Sequence, residues 1–199
     1  MPTADFFIPF GLLIKRDFLD PALCAELRQE MADAPDDASL VGEDTADAVD
    51  EAYRKSRSAQ VSEATKSLVT GRLEEFSEQV ERHFGTPLTG CQPPQFLRYG
   101  EGDYFRPHAD HEEEGPDWVT ERRISAVVFL NGQSEDPEPG KFSGGALTFF
   151  GLMGDPRGDE LGFPLQGEEG LLVAFQSDLL HSVTPVTSGD RYTIVSWFV

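Results

Sequence analysis

Residues 95–110 read QFLRYGEGDYFRPHAD, and this stretch ends by placing His108 two positions before Asp110. On an extended strand, residues i and i+2 face the same side, so both side chains can point into the interior of a barrel. His181 follows in a later segment and can supply a third metal ligand. Two histidines and one carboxylate on one face of an iron ion leave coordination positions open for other ligands. The sequence therefore predicts an iron site in which His108, Asp110 and His181 are both the metal ligands and the catalytic residues.

The segments around this stretch predict a β-rich second half. Short apolar runs alternate with turns rich in Gly, Pro, Asn and Asp, a pattern typical of a barrel or jelly roll. The predicted strands cover residues 96–99, 124–130, 146–150, 171–175, 182–186 and 192–199, and long loops cover 131–144 and 151–170.

The first half reads differently, with one opening strand over residues 6–15 and helices over 21–34 and 62–84. We therefore expect a single domain over 1–199 that is mainly β with supporting helices. In it, residues 1–90 supply the N-terminal strand and the helices. Residues 91–199 form a double-stranded β-helix core of the jelly-roll, cupin-like type.

Charge and composition exclude some partners. The net charge is −20, from 36 acidic and 16 basic residues, so the surface repels nucleic acid and anionic membranes. This charge serves solubility in our interpretation; a basic substrate and a salt-adapted host are the alternatives. The sequence shows no apolar run long enough to span a membrane and no signal-peptide pattern at its start. With only two cysteines, far apart, these features predict a cytoplasmic protein with reduced thiols, and they carry no signal for its oligomeric state.

The motifs resemble those of the prolyl 4-hydroxylase branch of the Fe(II)/2-oxoglutarate-dependent dioxygenases. That family shows a Tyr, a Gly, an aromatic residue, His-x-Asp, a distal His and then a basic residue about ten positions later. The residues in matching order are Tyr99, Gly102, Phe105, His108, Asp110, His181 and Arg191. Residues 144–149, GGALTF, look like the Gly-Gly start of a family strand. The resemblance covers nearly the whole chain and is most specific over 95–110 and 170–198.

This resemblance implies Fe(II), 2-oxoglutarate and O2 as cofactor and cosubstrates, with ascorbate as a candidate reductant. Arg191 offers a planar, bidentate fork for the distal carboxylate of 2-oxoglutarate, and Tyr99 and Thr193 can donate hydrogen bonds to the same group. Many collagen-type prolyl hydroxylases have Lys at the position of Arg191, so a collagen-like substrate is not implied. Related halogenases lack the carboxylate that Asp110 supplies, so Asp110 argues for hydroxylation.

The substrate side is predicted from fewer signals. Arg122, Tyr104 and Trp118 are the candidate substrate contacts, with a rim salt bridge as the alternative for Arg122 and a lid anchor as the alternative for Trp118. The segment 35–58 is a candidate lid, and its Arg54-Lys55-Ser56 resembles a family segment near the entrance. His111 would face away from the metal. Arg191 has a competing interpretation as a surface ion pair with Asp178.

Several functions remain open at this point. The favoured reaction hydroxylates an unactivated C–H of a prolyl residue in a protein or peptide, with release of succinate and CO2. The alternatives are a hydroxylase of a free amino acid or other small molecule, a non-catalytic cupin-like metal-binding module, and a metal-dependent isomerase or hydrolase. A buried arginine that binds a dicarboxylate would favour the oxygenase. The metal-binding module and the isomerase or hydrolase do not need such an arginine.

Overall fold

Fourteen strands are formed by the residues that the computed structural model describes, which are 4–38, 53–152 and 161–199. In chain order they are β1 (Leu12–Lys15), β2 (Asp36–Ala38), β3 (Arg54–Lys55), β4 (Arg57–Ala59), β5 (Gln95–Tyr99), β6 (Tyr104–His108), β7 (Ile124–Phe129), β8 (Ser143–Gly144), β9 (Leu147–Phe149), β10 (Phe163–Leu165), β11 (Leu172–Gln176), β12 (His181–Val183), β13 (Val186–Ser188) and β14 (Arg191–Phe198). The helices are a 3-10 helix (Ala4–Phe10), α1 (Pro21–Asp33), α2 (Glu63–Phe84) and α3 (Asp117–Thr120).

The strands build two antiparallel sheets that pack against each other. The larger sheet has the order β1-β11-β7-β14-β5-β4-β2, the smaller has the order β10-β9-β12-β6-β3, and β13 pairs with β8. Val127 and Phe129 of β7 pack with Leu147 and Phe149 of β9 in one apolar cluster between the sheets. The predicted mainly-β fold with a double-stranded β-helix core is confirmed.

The two long helices cover the outer face of the larger sheet. Alternate residues of β7, Ala126 and Val128, pack into a second apolar cluster with residues of α1 and α2. Because successive strand residues face opposite sides, β7 is buried on both faces and reads as one continuous apolar run. The supporting role predicted for the helices is thereby explained.

The helix boundaries follow from local chemistry. The Asp20 side chain accepts a hydrogen bond from the Leu23 backbone N–H and caps α1, whose first residue is a proline. Ser62 caps α2 in the same way, and α2 ends at Gly85, whose φ of 66° is the left-handed conformation that glycine adopts without strain. Neither helix, nor any other among the described residues, combines the length and apolar character that crossing a bilayer requires.

Three sequence predictions need correction. The opening segment is a 3-10 helix followed by a four-residue strand, because Pro9 lacks the N–H that a strand ladder needs and Gly11 turns the chain with a φ of 70°. The strand predicted over 182–186 is two short strands, β12 and β13, separated by Thr184 and Pro185. The predicted loop 151–170 contains β10, and its residues 153–160 lie outside the described residues.

The candidate lid over residues 35–58 is also partly regular. Its start, β2, pairs with β4, and β3 pairs with β6 at the edge of the smaller sheet. Residues 39–52 lie outside the described residues, so the lid hypothesis concerns mostly a part that the structure does not describe.

Candidate active site

His108, Asp110 and His181 come together between the sheets. Each residue offers one ligand atom, and the three atoms all lie within 4.8 Å of one another. His108 Nε2 is 3.6 Å from Asp110 Oδ1, and His181 Nε2 is 3.6 Å from Asp110 Oδ2. His181 starts β12 and is the register partner of His108 at the end of β6. The two histidines therefore come from two neighbouring, hydrogen-bonded strands.

Asp110 reaches this cluster by a route other than the predicted one. The strand ends at His108, and Asp110 lies in a bend whose backbone N–H donates to the carbonyl of Ser177 at 2.8 Å. The next residue, His111, also donates its backbone N–H to the Ser177 carbonyl, at 2.9 Å. The side chain of Asp110 still converges with that of His108, while His111 is outside the ligand cluster among the described residues.

Hydrogen bonds fix the orientation of all three side chains. His108 Nδ1 is 2.8 Å from the carbonyl of Arg106, and His181 Nδ1 is 2.9 Å from the carbonyl of Leu179. A carbonyl only accepts, so each Nδ1 carries the proton and each Nε2 presents a lone pair to the cluster. The Ser125 hydroxyl donates to Asp110 Oδ2 at 2.7 Å.

The protonation states suit a metal site. Burial acts to raise the pKa of Asp110, but the charges of His181 and His108 and the hydrogen bond from Ser125 together hold this pKa well below its usual range. Burial, with a further contribution from His108, lowers the pKa of His181 to about 4, against the opposing charge of Asp110. At neutral pH the site therefore offers an ionised carboxylate and a neutral imidazole, which are the forms that bind a metal.

A cavity of about 180 Å³ opens beside the three side chains. Arg191, the first residue of β14, lines this cavity and is only 2% exposed. Its Nη1 donates to the Thr193 hydroxyl at 3.1 Å, while its Nε is buried without a hydrogen-bond partner. Its guanidinium lies over the rings of Tyr99 and Phe129, at 5.1 and 5.0 Å from their centroids.

No carboxylate neutralises Arg191 within the described part of the chain, so the alternative of a surface ion pair with Asp178 is wrong. Burial lowers the pKa of Arg191 to about 10, and the side chain is still a cation at neutral pH. A buried cation with unused donors fits an anion that enters the cavity. The residues present therefore suit a carboxylate-bearing cosubstrate at Arg191 and a metal ion at the histidines and Asp110.

On the far side of Asp110, Arg122 is held by two tryptophans. Its guanidinium lies 3.5 Å from the ring centroid of Trp197 and 4.7 Å from that of Trp118. Its Nε donates to Gln92 Oε1 at 3.1 Å and its Nη1 donates to the carbonyl of Asp110 at 3.3 Å. Both Arg122 and Trp118 line the cavity, and their role as substrate contacts stays a prediction.

Tyr104 is the exception among the selected residues. It does not line the cavity, whereas its neighbour Phe105 does. A register shift between β6 and β12 brings Phe105 and His108 to the same side, where their rings stack with centroids 3.5 Å apart. Adjacent strand residues face opposite sides, so Phe105 takes the position that sequence reasoning gave to Tyr104.

Two contributors to the site were not predicted from the sequence, and a third was indicated only by a resemblance. Ser125 is a lone hydroxyl inside an apolar strand, and that contrast was the available signal. Trp197 lies in an apolar strand but lines the cavity, and its buried Nε1 has no hydrogen-bond partner among the described residues. Arg54 lines the cavity too, and only its resemblance to a family segment pointed to it.

A jelly-roll core that holds two histidines, a carboxylate and an unpaired buried arginine defines a class of mononuclear metal oxygenases. Residues 94–199 match the 2OG-Fe(II) oxygenase superfamily, and the chain belongs to this family. Members of this family depend on Fe(II) and 2-oxoglutarate.

Individual relatives agree with this membership. A PKHD-type hydroxylase of Hyphomonas neptunium is 30% identical over 162 residues, which is 78% of this chain and 65% of that protein. The matched part of the chain spans 42% of a PKHD-type hydroxylase of Shewanella baltica and 65% of the Hyphomonas neptunium protein.

Solved structures show the same fold. A Pseudomonas putida prolyl-4-hydroxylase superposes with a TM-score of 0.69 at 22% identity, covering 98% of this chain and 96% of that one. A Trichoplax adhaerens prolyl hydroxylase in complex with a hypoxia inducible factor peptide fragment gives a TM-score of 0.70 at 18% identity, covering 98% and 86%.

Proposed function

We propose that this oxygenase hydroxylates an unactivated C–H of a prolyl residue in a protein or peptide, with 2-oxoglutarate and O2 as cosubstrates and Fe(II) as cofactor. The observation that carries the reaction class is Arg191, a buried cation that has no carboxylate partner among the described residues and lies in the cavity that holds the two histidines and Asp110. The prolyl substrate is supported by the fold shared with two prolyl hydroxylases, one of them in complex with a peptide.

The proposed site has two parts, one that holds the metal and one that holds the distal end of 2-oxoglutarate. His108, Asp110 and His181 hold Fe(II). Arg191 forms the ion pair with the distal carboxylate of 2-oxoglutarate, and Thr193 and Tyr99 complete its surroundings. An arginine can pair with a carboxylate through two parallel hydrogen bonds, so Arg191 would hold the distal carboxylate in a defined orientation.

When bound, the iron and 2-oxoglutarate supply oxidative decarboxylation to succinate and CO2, coupled to hydroxylation of the substrate. The chain contributes placement and exclusion of water. Ser125 and the carbonyl of Ser177 keep Asp110 in position, and the carbonyls of Arg106 and Leu179 keep the imidazoles oriented. Asp110 occupies the ligand position that a halide would need, which favours hydroxylation.

The substrate side consists of rings and one fixed cation. Phe105, Trp118 and Trp197 line the cavity and offer apolar faces of the size of a pyrrolidine ring. Arg122 contacts both tryptophan rings and lines the cavity, so its guanidinium would meet a peptide substrate with little further loss of conformational entropy.

The first test is isothermal titration of 2-oxoglutarate into anaerobic protein loaded with Mn(II), with Asp110→Ala and Arg191→Ala as variants. We expect metal-dependent binding in the wild type, loss of that dependence in Asp110→Ala, and at least about a hundredfold weaker binding in Arg191→Ala. Circular dichroism of each variant controls for folding.

The second test is turnover of proline-containing peptides with Fe(II), O2 and ascorbate, measured by mass spectrometry as the gain of one oxygen atom. Absence of 2-oxoglutarate binding in folded, metal-loaded protein would contradict the oxygenase reaction and favour the metal-binding module. Binding of 2-oxoglutarate with turnover of free amino acids alone would replace the peptide substrate by a small molecule.

A further inference from the structure

Arg54 is a third buried arginine in the same cavity, besides Arg191 and Arg122, and the proposed reaction gives it no role. It is 9% exposed and lines the cavity. Its Nε donates to the Ser56 hydroxyl at 2.8 Å, and its guanidinium lies 4.7 Å from the ring centroid of Phe105. Across the described ranges, no carboxylate lies within 4.0 Å of it.

The position of Arg54 relates it directly to the metal ligands. Arg54 is the register partner of Phe105 where β3 pairs with β6, and the Phe105 ring stacks on the His108 ring. One aromatic side chain therefore links the Arg54 guanidinium to a metal-ligating imidazole. If Arg54 binds an anionic group of the substrate, other atoms of the same substrate molecule would therefore lie close to the metal, where hydroxylation takes place.

The burial and the positive charge of Arg54 favour an anion at this site. A buried guanidinium with one neutral acceptor has lost much of its hydration without a compensating ion pair. In the proposed function, Arg191 pairs with the distal carboxylate of 2-oxoglutarate and Asp110 is a metal ligand. Neither carboxylate therefore neutralises Arg54. The chain as a whole carries a charge of −20 and repels acids, so a local cation is what would admit one.

We propose that Arg54 is a specificity-determining residue that binds a carboxylate of the hydroxylated substrate. This inference rests on the proposed function and narrows its substrate class. The carboxylate has two sources: an acidic side chain next to the hydroxylated residue of a peptide, or the α-carboxylate of a free amino acid. Ser56 and Phe105 hold the guanidinium in place for either source.

Matched probes that differ only in the carboxylate test this. The protein, loaded with Mn(II) and 2-oxoglutarate without O2, is titrated with acetyl-Pro-Glu-amide against acetyl-Pro-Gln-amide, and with L-proline against L-prolinamide. We expect the acid of one pair to bind about tenfold or more tightly than its amide, as for a charge-assisted bond. Which pair shows this preference identifies the source of the carboxylate.

Variants assign the preference to Arg54. In Arg54→Gln the preference should fall below about twofold, with the Kd of the amide probe nearly unchanged, and Arg54→Lys should retain part of it. Arg123→Gln is the matched control: it removes the same charge from an exposed side chain next to Arg122 that does not line the cavity, and it should keep the full preference.

Two outcomes overturn the inference. One is equal binding of acids and amides by the wild type; the other is an equal loss of both in Arg54→Gln, which would make Arg54 a structural residue. If no proline probe binds, acetate is titrated instead, and the chemical shift of the Arg54 Nε is followed by nitrogen-15 NMR. An unchanged shift would overturn the inference. Failure of the proposed function is distinguishable, because 2-oxoglutarate would then not bind to the metal-loaded protein.

Discussion

At the scale of single residues, the position of Asp110 depends on a serine in another strand. Ser125 is completely buried in β7 and donates to Asp110 Oδ2, and its oxygen is 3.0 Å from the hydroxyl oxygen of Ser177. Asp110 itself lies in a bend, where the backbone alone fixes its side chain less firmly than a strand would. The serine hydroxyl therefore acts as a positioning group for the carboxylate.

We expect Ser125→Ala to weaken metal binding about tenfold, because a group that orients a metal ligand typically contributes this much or more. The measurement is Mn(II) affinity by electron paramagnetic resonance, with Ser125→Thr as the variant that restores the hydroxyl. Ser196→Ala is the control: this serine is equally buried in the same sheet but donates to the carbonyl of Gln92. Equal metal affinity in Ser125→Ala and Ser196→Ala would show that the hydroxyl has no positioning role.

The residues selected from sequence were those whose chemistry is unusual for their surroundings. His108, Asp110, His181 and Arg191 are polar residues with family spacing, and the structure brings all four to one cavity. Trp197 was missed because a tryptophan is common in an apolar strand. Ser125 was missed because a lone hydroxyl in such a strand does not show which group it binds. Tyr104 was selected instead of Phe105 because the register shift between β6 and β12 depends on a strand distant in sequence.

At the scale of elements, Glu30 joins the two long helices. It lies near the end of α1 and accepts hydrogen bonds from the Ser62 backbone N–H at 2.7 Å and from the Thr65 hydroxyl at 2.5 Å, at the start of α2. These bonds, first that from Thr65 and then that from Ser62, lower the pKa of Glu30. A carboxylate at a helix N-terminus is further stabilised by the helix dipole.

A carboxyl whose pKa is lowered by folding stabilises the protein above its unfolded pKa, and this contribution is lost as pH falls through the folded value. We expect Glu30→Gln to lower the free energy of unfolding by about 1 kcal/mol at pH 7, a modest amount because the side chain is partly exposed. The difference from wild type should shrink as pH falls below the ordinary glutamate pKa of 4.5. Urea unfolding at several pH values measures it.

Glu26→Gln, on an exposed position of the same helix, is the control for removal of one negative charge. If both variants lose the same stability with the same pH dependence, the effect comes from net charge and the helix contact through Glu30 contributes nothing.

Gly144 determines how closely β8 approaches β13. Its φ is 67°, and a Cβ at this position would lie 2.3 Å from the carbonyl oxygen of Pro185, a backbone atom that cannot move aside. Gly140 has a φ of 79° but nothing within 4 Å of such a Cβ. The two glycines therefore share the backbone conformation and differ in the space around it.

We expect Gly144→Ala to destabilise the protein by about 2 kcal/mol more than Gly140→Ala, which carries only the cost of a left-handed alanine. Thermal unfolding of the two variants gives the difference directly. A similar loss of stability in both variants would mean that β8 and β13 can move apart at little energetic cost. Gly144 would then be needed only for its left-handed backbone conformation.

At the scale of the whole molecule, the sequence predicts which segments are strands far better than which strands are neighbours. Continuous burial of β7 follows from its apolar run. Its adjacency to β14, which lies between β7 and β5, does not, since it joins segments far apart in the chain. The pairing of β1 with β11 likewise joins opposite ends of the sequence. Such contacts depend on the packing of the entire chain and leave no local pattern.

Net charge is a property of the whole molecule that opposes its proposed cosubstrate. A chain with a charge of −20 repels the dianion 2-oxoglutarate at long range, although Arg191 attracts it at contact. Salt screens exposed charges over about 10 Å at 0.1 M, and it screens buried contacts much less. The two steps of binding should therefore respond differently to ionic strength.

We expect the association rate of 2-oxoglutarate with the Mn(II)-loaded protein to rise several-fold between low and moderate salt, with little change in the dissociation rate, in stopped-flow measurements. Most anion sites show the opposite trend, because salt usually weakens anion binding. The double variant Glu74→Lys and Glu78→Lys, on exposed positions of α2, changes the net charge from −20 to −16. At low salt it should bind faster than the wild type, and the two rates should converge as salt is added. If salt instead slows association, the cations at the cavity, with Arg54 and Arg122 among them, dominate the approach of the ligand over the charge of the molecule as a whole.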